Sequence, residues 1–418
     1  MKIAVIGLGY IGLPTAAMFA NAGHTVVGVD YNTQIINALK NGQVIIEEAN
    51  LGDLVLKVTA SGNLTCSLTP QAADVFIIAV PTPIKSDKTA EMSFVVEATE
   101  SIVPYLAEGN IVILESTSPV GTVNQLMLPI LEKSGLVIGE QLFVGHSPER
   151  VIPGKILYEL IHNSRIAGGI NEISAHKIAE VYRSFVEGEI YETDTATAEL
   201  CKLTENTFRD VNIAFANEMA KICENLGINV WNLIELCNKH PRVNIHQPGP
   251  GVGGHCIAVD PWFIVEKQPE TAQIINLCRH INDSMPDYVS GRITDILKDI
   301  ELPKVSILGV TYKPDVDDLR ESPILELIEL LKQSGYTVSA YDPFITNHKD
   351  ISNDFDQTIE NSDMVVLGVN HHQFKQLPLA QMAKLMRNKN LFDTRNFVDR
   401  QKAEAAGFKY YLLGEKYN

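Results

Sequence analysis

The first thirty residues constrain the fold most strongly. The run KIAVIGLG is aliphatic without polar alternation, which predicts a strand buried on both faces of a parallel sheet. It ends in the glycine-rich turn 7–12, after which residues 13–23 read as a helix closed by Gly23. HTVVGVD then predicts a second strand that finishes in Asp30. Strand, helix and strand in this order form a βαβ unit.

Each glycine of the turn has a physical task in such a unit. Gly7 permits the tight turn, Gly9 lets the backbone approach a pyrophosphate, and Gly12 lets the helix lie close to the strand. The helix N-terminus offers amide donors to the phosphates. Asp30 can accept both ribose hydroxyls and would repel a 2′-phosphate, which favours NAD over NADP. The alternative is a structural turn without a ligand. The predicted cofactor contacts here are Gly7, Gly9, Tyr10, Ile11, Gly12 and Asp30.

Three further buried strands follow, in DVFIIAVPTP, NIVILESTSPVGT and LFVGHSPER. Each ends in a short polar loop, and in an open parallel sheet such loops lie at the ligand-binding edge. Pro81, Thr82 and Thr117 are therefore added to the predicted cofactor site. The alternative is that they only mark turns.

The pattern of the chain changes twice. Helical periodicity replaces strand-like runs near residue 194, and βα alternation resumes at KVSILGVTYK without a second glycine fingerprint. The sequence thus predicts an α/β fold with two Rossmann-like doubly wound domains joined by a long central helical segment. The predicted parts are an NAD-binding domain at 1–193, a central helical domain at 194–300 and a C-terminal domain at 301–418.

The candidate nucleophile lies in GGHCIAVD. Cys256 follows two glycines and precedes a predicted helix, a setting in which helix-end amides stabilise a thiolate. Asp260, four residues on, shares its face if the loop turns helically, and can orient water or move a proton. The alternative is an inert cysteine, the interpretation kept for the other five. No CxxC pair is present and the six cysteines are scattered, so neither a metal site nor a disulfide framework is predicted.

Charge and hydropathy exclude some classes of function. The chain has 34 Lys and Arg against 51 Asp and Glu, a formal charge of −17, so binding to nucleic acid or anionic lipid is not expected. No apolar run reaches the roughly 18 residues of a membrane span, and MKIAVIGLG lacks signal-peptide features. We expect a cytoplasmic protein.

Taken together, these motifs resemble the UDP-glucose/GDP-mannose dehydrogenase family over essentially the whole chain. The matching pieces, in order, are GLGYIG, Asp30, VPTP, ESTSPVGT, SPER, ELCKLTEN, PGPGVGGHCIAVDP, GVTYKPDVDDLRESP and YDP. Within the family the cysteine loop is most similar to the UDP-N-acetylmannosamine branch, with the UDP-N-acetylglucosamine branch next. His255 and Pro261-Trp262 argue against plain UDP-glucose.

The resemblance implies an NAD-dependent four-electron oxidation of the sugar C6 alcohol to a carboxylate. Cys256 would trap the intermediate aldehyde as a thiohemiacetal and then carry a thioester. Lys202 would stabilise the oxyanion and help ionise the thiol, and Asn206 would hold the same oxygen or a water. Asp260 would position or deprotonate the hydrolytic water. Glu149 would act as a base or orient water, and the choice between Glu149 and a water as the base stays open.

The resemblance also implies substrate contacts and an assembly. Arg242 would reach a diphosphate, Lys313 would lie near the uridine, and Arg320 would approach the cofactor. The full predicted substrate set is Arg150, Val151, Lys202, Asn206, Arg242, His246, Gly253 and Lys313. Family members form dimers or larger assemblies, so a homodimer is expected. The product would supply surface polysaccharide synthesis.

Alternatives remain open at this point. UDP-N-acetylglucosamine or UDP-glucose is the alternative substrate, because the epimers differ only at C2. A two-electron hydroxyacid dehydrogenase would need no cysteine, and Cys256 counts against it. An inactive binding protein with the same fold is opposed by the intact set of Lys202, Asn206, Cys256 and Asp260.

Overall fold

A computed structural model describes residues 1–46, 48–346 and 348–416. It divides into two compact units. The first comprises Met1–Glu205 with Trp262–Pro269, and the second comprises Asn206–Pro261 with Glu270–Asn418. Within the described ranges, no helix is long and apolar enough to cross a membrane.

The first unit is built on a large sheet covered by helices. Its strands are β1 (Lys2–Ile6), β2 (Thr25–Val29), β3 (Leu64–Ser67), β4 (Val75–Ile78), β5 (Ile111–Leu114), β6 (Phe143–His146), β7 (Arg165–Gly169) and β8 (Ile190–Asp194). Its helices are α1 (Gly12–Asn21), α2 (Thr33–Lys40), α3 (Leu51–Ala60), α4 (Ser93–Ile102), α5 (Leu128–Leu131), α6 (Ile156–His162) and α7 (Glu172–Tyr182). A π-helical turn, Thr122–Met127, precedes α5, and short 3₁₀ turns lie at Val103–Tyr105 and Glu132–Ser134.

The strand order in this sheet is β3-β2-β1-β4-β5-β6-β7-β8. All neighbours are parallel except β6 and β7, which pair antiparallel. The order reverses between β1 and β4, and loops at such a reversal form the ligand crevice of doubly wound sheets. The predicted βαβ unit is confirmed. Its strands are buried on both faces, because helices cover both sides of the sheet.

Helices dominate the middle of the chain, as the periodicity predicts. They are α8 (Thr195–Leu226), α9 (Val230–Cys237), α10 (Asp260–Lys267), α11 (Gln273–Asp283) and α12 (Met285–Leu297). Asp194 caps the start of α8, since its carboxylate accepts hydrogen bonds from the amide and the hydroxyl of Thr197, at 2.9 and 2.6 Å. These bonds hold the pKa of Asp194 below its ordinary value. α8 is 32 residues long and is the long helix that the fold prediction requires.

The C-terminal sheet has five parallel strands in the order β10-β9-β11-β12-β13. They are β9 (Lys304–Leu308), β10 (Thr337–Tyr341), β11 (Met364–Leu367), β12 (Asn390–Asp393) and β13 (Lys409–Leu412). The helices around them are α13 (Pro323–Gln333), α14 (Phe355–Ile359), α15 (Leu379–Leu385) and α16 (Arg400–Ala405), with a 3₁₀ turn at His372–Gln376. The order again reverses, between β9 and β11. The predicted second Rossmann-like fold is thereby confirmed.

Candidate active site

The glycine turn and Asp30 form a single cradle at the end of β1. Gly7 has φ +94° and donates its amide to the Val29 carbonyl at 2.8 Å. The Leu8 amide donates to the Asp30 carboxylate at 2.9 Å, and the Asn32 amide donates to its other oxygen at 2.8 Å. The acidic group is thus fixed beside the turn that leads into α1. This is the arrangement that a ribose and an adjoining pyrophosphate require.

Added methyl groups would have different consequences at the three glycines. A Cβ on Gly12 would overlap the Gly7 carbonyl oxygen, and one on Gly7 would overlap the Ala79 carbonyl oxygen. A Cβ on Gly9 would meet nothing within 4 Å. Gly7 and Gly12 are therefore required by the protein itself, whereas the space above Gly9 is open to a ligand. The cradle fits a dinucleotide.

We expect Gly9→Ala to fold like the wild type but to bind NAD roughly tenfold more weakly, the effect of about one charge-assisted hydrogen bond. Gly12→Ala should instead lower the free energy of unfolding by about 1–3 kcal/mol through overpacking. Thermal melting and NAD titration measure the two effects separately. Gly52→Ala on α3, where a Cβ also meets nothing within 4 Å, is the control. A Gly9→Ala variant with wild-type NAD affinity would contradict this assignment.

Two further loops join the cradle at the carboxyl edge of the sheet. The Ser116 hydroxyl donates to the Val80 carbonyl at 2.7 Å, and the Thr82 hydroxyl donates to the Thr117 carbonyl at 2.7 Å. The loops after β4 and β5 are therefore tied together, and Ala79 touches Gly7. Pro81, Thr82 and Thr117 lie in these two loops. Their contact with a cofactor remains a prediction.

Lys202 and Glu149 form a buried ion pair in the first unit. The Lys202 Nζ lies 2.8 Å from one Glu149 carboxylate oxygen, and the Val151 amide donates to the other oxygen at 2.8 Å. Both side chains are nearly inaccessible to solvent, at 7% and 11% exposure. Arg150 pairs with Glu205 at 2.6 Å and donates to the Ser164 carbonyl at 3.0 Å. Two predicted catalytic residues from distant parts of the sequence therefore meet.

Asn206 and Asp260 meet in the second unit. The Asn206 side-chain amide donates to the Asp260 carboxylate at 2.6 Å. The Asp260 amide donates to the Cys256 carbonyl at 2.8 Å, as does the Val259 amide at 3.1 Å. The loop thus makes a helical turn from Cys256 into α10, which begins at Asp260. Asn206 lies one helical turn beyond Lys202 on α8, so a single helix carries both side chains.

The cysteine loop rests on the segment 310–323 of the second unit. The Gly254 amide donates to the Arg320 carbonyl at 3.2 Å. A Cβ on Gly253 would overlap the Glu321 carbonyl oxygen, and one on Gly254 would lie 2.6 Å from the Tyr312 ring. Glycine is therefore required here by close packing. The close approach of Glu321 and Tyr312 thus explains the two glycines that precede His255.

All six cysteines lie in the described part of the chain, and Cys256 is the exposed one. Burial raises the pKa of the thiols of Cys66, Cys223 and Cys278 above the ordinary value, which disfavours the nucleophilic thiolate. The exposure of its thiol favours Cys256 as the nucleophile.

Charged side chains follow β9 in the second unit. Lys313 Nζ lies 5.6 Å from the centre of the Tyr312 ring. Arg320 binds Asp318 through two side-chain hydrogen bonds of 2.9 and 2.7 Å. Burial by itself would raise the pKa of Asp318, but these bonds outweigh it and hold that pKa below its ordinary value. Burial, and secondarily Arg320, lowers the pKa of His255.

The loop after α9 holds the remaining predicted substrate residues. Arg242 is exposed, and His246 is half-buried with its pKa lowered by burial and by Arg209. The Arg242 guanidinium is thus accessible to an anionic ligand.

A buried histidine beneath the Lys313 segment was not anticipated from the sequence. The Asp315 amide donates to His371 Nδ1 at 2.9 Å, so Nε2 carries the proton and donates to Asp342 at 2.9 Å. Asp342 also accepts from the Val310 amide at 2.7 Å. Burial alone would raise the pKa of Asp342, but these hydrogen bonds hold it below its ordinary value. The YDP motif signals Asp342, whereas nothing in the sequence pairs it with His371.

A second unanticipated cluster lies at the carboxyl ends of β5 and β6 in the first unit. Arg165, Glu115 and Tyr182 are buried together with Ser147. His146 is buried beside them, and burial lowers its pKa to about 3, so it is neutral at physiological pH. The residues of this cluster lie up to 67 positions apart in the sequence, and only the fold reveals their contact.

Sequence profiles of one family match three consecutive parts of the chain. The NAD binding domain of the UDP-glucose/GDP-mannose dehydrogenase family matches residues 1–186. The central domain of that family matches residues 196–284, and its UDP binding domain matches residues 306–400.

Individual proteins of similar sequence and structure carry consistent names. The UDP-N-acetyl-D-mannosamine dehydrogenase of Methanococcus maripaludis is 48% identical over 422 residues, covering 99% of this chain and 97% of that protein. The solved UDP-N-acetyl-mannosamine dehydrogenase of Staphylococcus aureus is 48% identical, with a TM-score of 0.91 and 99% of each chain covered. The UDP-D-ManNAc dehydrogenase structure from Pyrococcus horikoshii is 39% identical, with a TM-score of 0.94 and 99% of each chain covered.

Proposed function

Because the chain belongs to the UDP-glucose/GDP-mannose dehydrogenase family, we propose that it oxidises C6 of UDP-N-acetyl-D-mannosamine to the carboxylate through a thioester on Cys256. The family makes it an NAD-dependent nucleotide-sugar dehydrogenase with a UDP-sugar substrate. The observation that carries the thioester proposal is the exposed Cys256 at the start of a helical turn whose end, Asp260, is held by Asn206.

NAD, when bound, would supply the hydride acceptor for each of the two oxidations. The Gly7–Gly12 turn and the first amides of α1 would hold its pyrophosphate, and Asp30 would bind its ribose. Pro81, Thr82 and Thr117 border the same edge, and we propose that they shape the nicotinamide end.

The first oxidation gives an aldehyde at C6 and releases one proton. Cys256 adds to this aldehyde, forming a carbon–sulfur bond while the carbonyl oxygen takes the proton of the thiol, and the product is a thiohemiacetal. Loss of a second hydride and a second proton converts the thiohemiacetal to a thioester. Water then cleaves the carbon–sulfur bond, giving the carboxylate, releasing one proton and restoring the thiol. A thiol is needed because it retains the intermediate between the two oxidations.

The buried ion pair supplies the charge that these steps need. Lys202 would donate to the C6 oxygen as it gains negative charge, in a site shielded from water where such a contact is strongest. Glu149 holds the ammonium in place and would accept a proton or orient water. Asp260, which accepts from Asn206, would position the hydrolytic water. Arg242 and Lys313 would bind the diphosphate and uridine parts of the substrate.

The mannosamine assignment follows the names of the relatives at 48% and 39% identity. We expect kcat/KM for UDP-N-acetylmannosamine to exceed that for UDP-N-acetylglucosamine and UDP-glucose by at least about tenfold, since one misplaced polar contact costs roughly this much. NADH formation at limiting substrate measures the three values. A preference for either competitor would overturn the sugar assignment and leave the family intact. The uronic acid product would serve a glycosyl transfer into a surface polysaccharide.

We also propose a homodimer formed through α8. Phe208, Phe215 and Ile222 recur every seven residues on this helix and are 65%, 49% and 39% exposed. Side chains with this spacing lie along one stripe, which a second copy would cover. We expect sedimentation equilibrium to give twice the chain mass, and Phe215→Glu to shift it to the monomer. A wild-type monomer at micromolar concentration would contradict the proposal.

A further inference from the structure

A buried arginine fixes the strand end that leads to Glu149. Arg165, the first residue of β7, is 5% exposed. Its Nε donates to the Ser147 hydroxyl at 2.9 Å, and one terminal nitrogen donates to the Ser147 carbonyl at 3.2 Å. Ser147 is two positions before Glu149. The guanidinium therefore grips both the side chain and the backbone of the segment that carries the carboxylate.

The guanidinium is itself held from two other directions. It forms an ion pair with Glu115, which follows β5, and its central carbon lies 3.7 Å from the centre of the Tyr182 ring. The Tyr182 hydroxyl donates to the same Glu115 oxygen at 3.3 Å. Glu115 and Tyr182 are both completely buried. Burial raises the pKa of Glu115, although the arginine acts in the opposite direction. Arg165 therefore has no room to change its orientation.

The far end of the same segment is held in a similar way. The Asn163 side-chain amide donates to the Arg150 carbonyl at 2.7 Å, and Arg150 pairs with Glu205 of α8. Ser147 also donates its hydroxyl to the Ile166 carbonyl at 2.8 Å. Residues 147–151 are thus held at both ends, with Glu149 between the two attachments.

Stability alone does not account for a buried ion pair at this position. Removing two charges from water carries a desolvation cost that apolar residues of similar size would avoid. An apolar cluster cannot donate directional hydrogen bonds to Ser147. A planar guanidinium has several N–H donors in fixed directions and can therefore form these hydrogen bonds.

We propose that Arg165, held by Glu115 and Tyr182, is a positioning residue that fixes residues 147–151 and thereby aligns Glu149 with Lys202. The consequence for turnover depends on the proposed function, in which this ion pair serves the reacting C6 oxygen. The geometric part of the inference concerns the ion pair itself and can be measured without any substrate.

Arg165→Lys keeps the positive charge but loses the planar set of donors that bind the hydroxyl and the carbonyl of Ser147. We expect it to lower kcat by about 10- to 100-fold, because sub-ångström misplacement of a reacting group costs this much. KM for NAD and for the UDP-sugar should stay within about twofold. Glu115→Gln, which releases the arginine, should act in the same direction. Arg183→Lys, a partly exposed arginine paired with Glu192, is the matched control and should keep wild-type kcat. A kcat of Arg165→Lys equal to that of the wild type would overturn the proposal.

The second measurement is independent of turnover. The Lys202 side chain is buried and its ammonium is paired with Glu149, so acetic anhydride should modify it slowly in the wild type. Peptide mass mapping of Arg165→Lys should show Lys202 modified several-fold faster, while Lys221 in the second unit keeps its rate. Unchanged labelling of Lys202 in a variant with a lowered Tm would mean that Arg165 acts only on stability, which contradicts the proposal. If the wild type oxidises none of the UDP-sugars, the proposed function fails, and the labelling still decides this inference.

Discussion

Cys256→Ala should lower kcat for complete oxidation by on the order of 10³-fold or more, since the variant loses the nucleophile that retains the aldehyde. KM for NAD should change little, because the predicted NAD contacts lie outside the cysteine loop. NADH formation under saturating substrate measures the effect. The reaction class itself depends on this residue, since a two-electron dehydrogenase needs no thiol.

Cys237→Ala is the matched control, because it removes a half-buried thiol from a helix. It should retain wild-type kcat, and both variants should melt at the wild-type temperature. An active Cys256→Ala variant that completes the oxidation would contradict the thioester and favour the simple dehydrogenase.

Lys202→Met should lower kcat by about 10²- to 10³-fold, the typical cost of removing one donor from a developing oxyanion. KM for the UDP-sugar should change far less, since the ammonium contributes mainly in the transition state. Lys202→Arg should not restore the rate. The planar guanidinium is larger than the ammonium, so it cannot occupy the buried position in which the Lys202 Nζ lies 2.8 Å from Glu149. Steady-state kinetics separate the two parameters.

Two further results would bear on this prediction. Lys221→Met, on the same helix, removes a hydrogen bond of 3.0 Å to Ser284 and should keep kcat, which makes it the control. A Lys202→Met variant with raised KM and unchanged kcat would mean that Lys202 binds the ground state only.

Much of the fold could be predicted because buried parallel strands are recognisable in a sequence. The runs IAVI, VFII and IVIL are continuously apolar, and the turns that follow them contain glycine, proline or serine. Strands β3, β7, β8 and β13 escaped prediction. IYETD at the sheet edge is mostly exposed and polar, so it carries no apolar signal.

The candidate site divides along similar lines. Residues within one motif, such as Cys256 and Asp260, could be grouped by their spacing. Glu149 and Lys202 could be named only through resemblance, because 53 positions separate them. Arg165 and His371 were missed, since each is a single polar residue whose hydrogen-bond partners lie 18 to 60 positions away. Long-range contacts between polar side chains leave no periodic signal in a sequence.

One active site is expected to perform two oxidations in succession on one substrate. NADH released per mole of limiting UDP-N-acetylmannosamine tests it most directly, with the product identified by mass spectrometry. We expect two NADH for each sugar, a carboxylate product and no free aldehyde. One NADH for each sugar with an accumulating aldehyde would contradict the claim, because Cys256 would then carry no thioester.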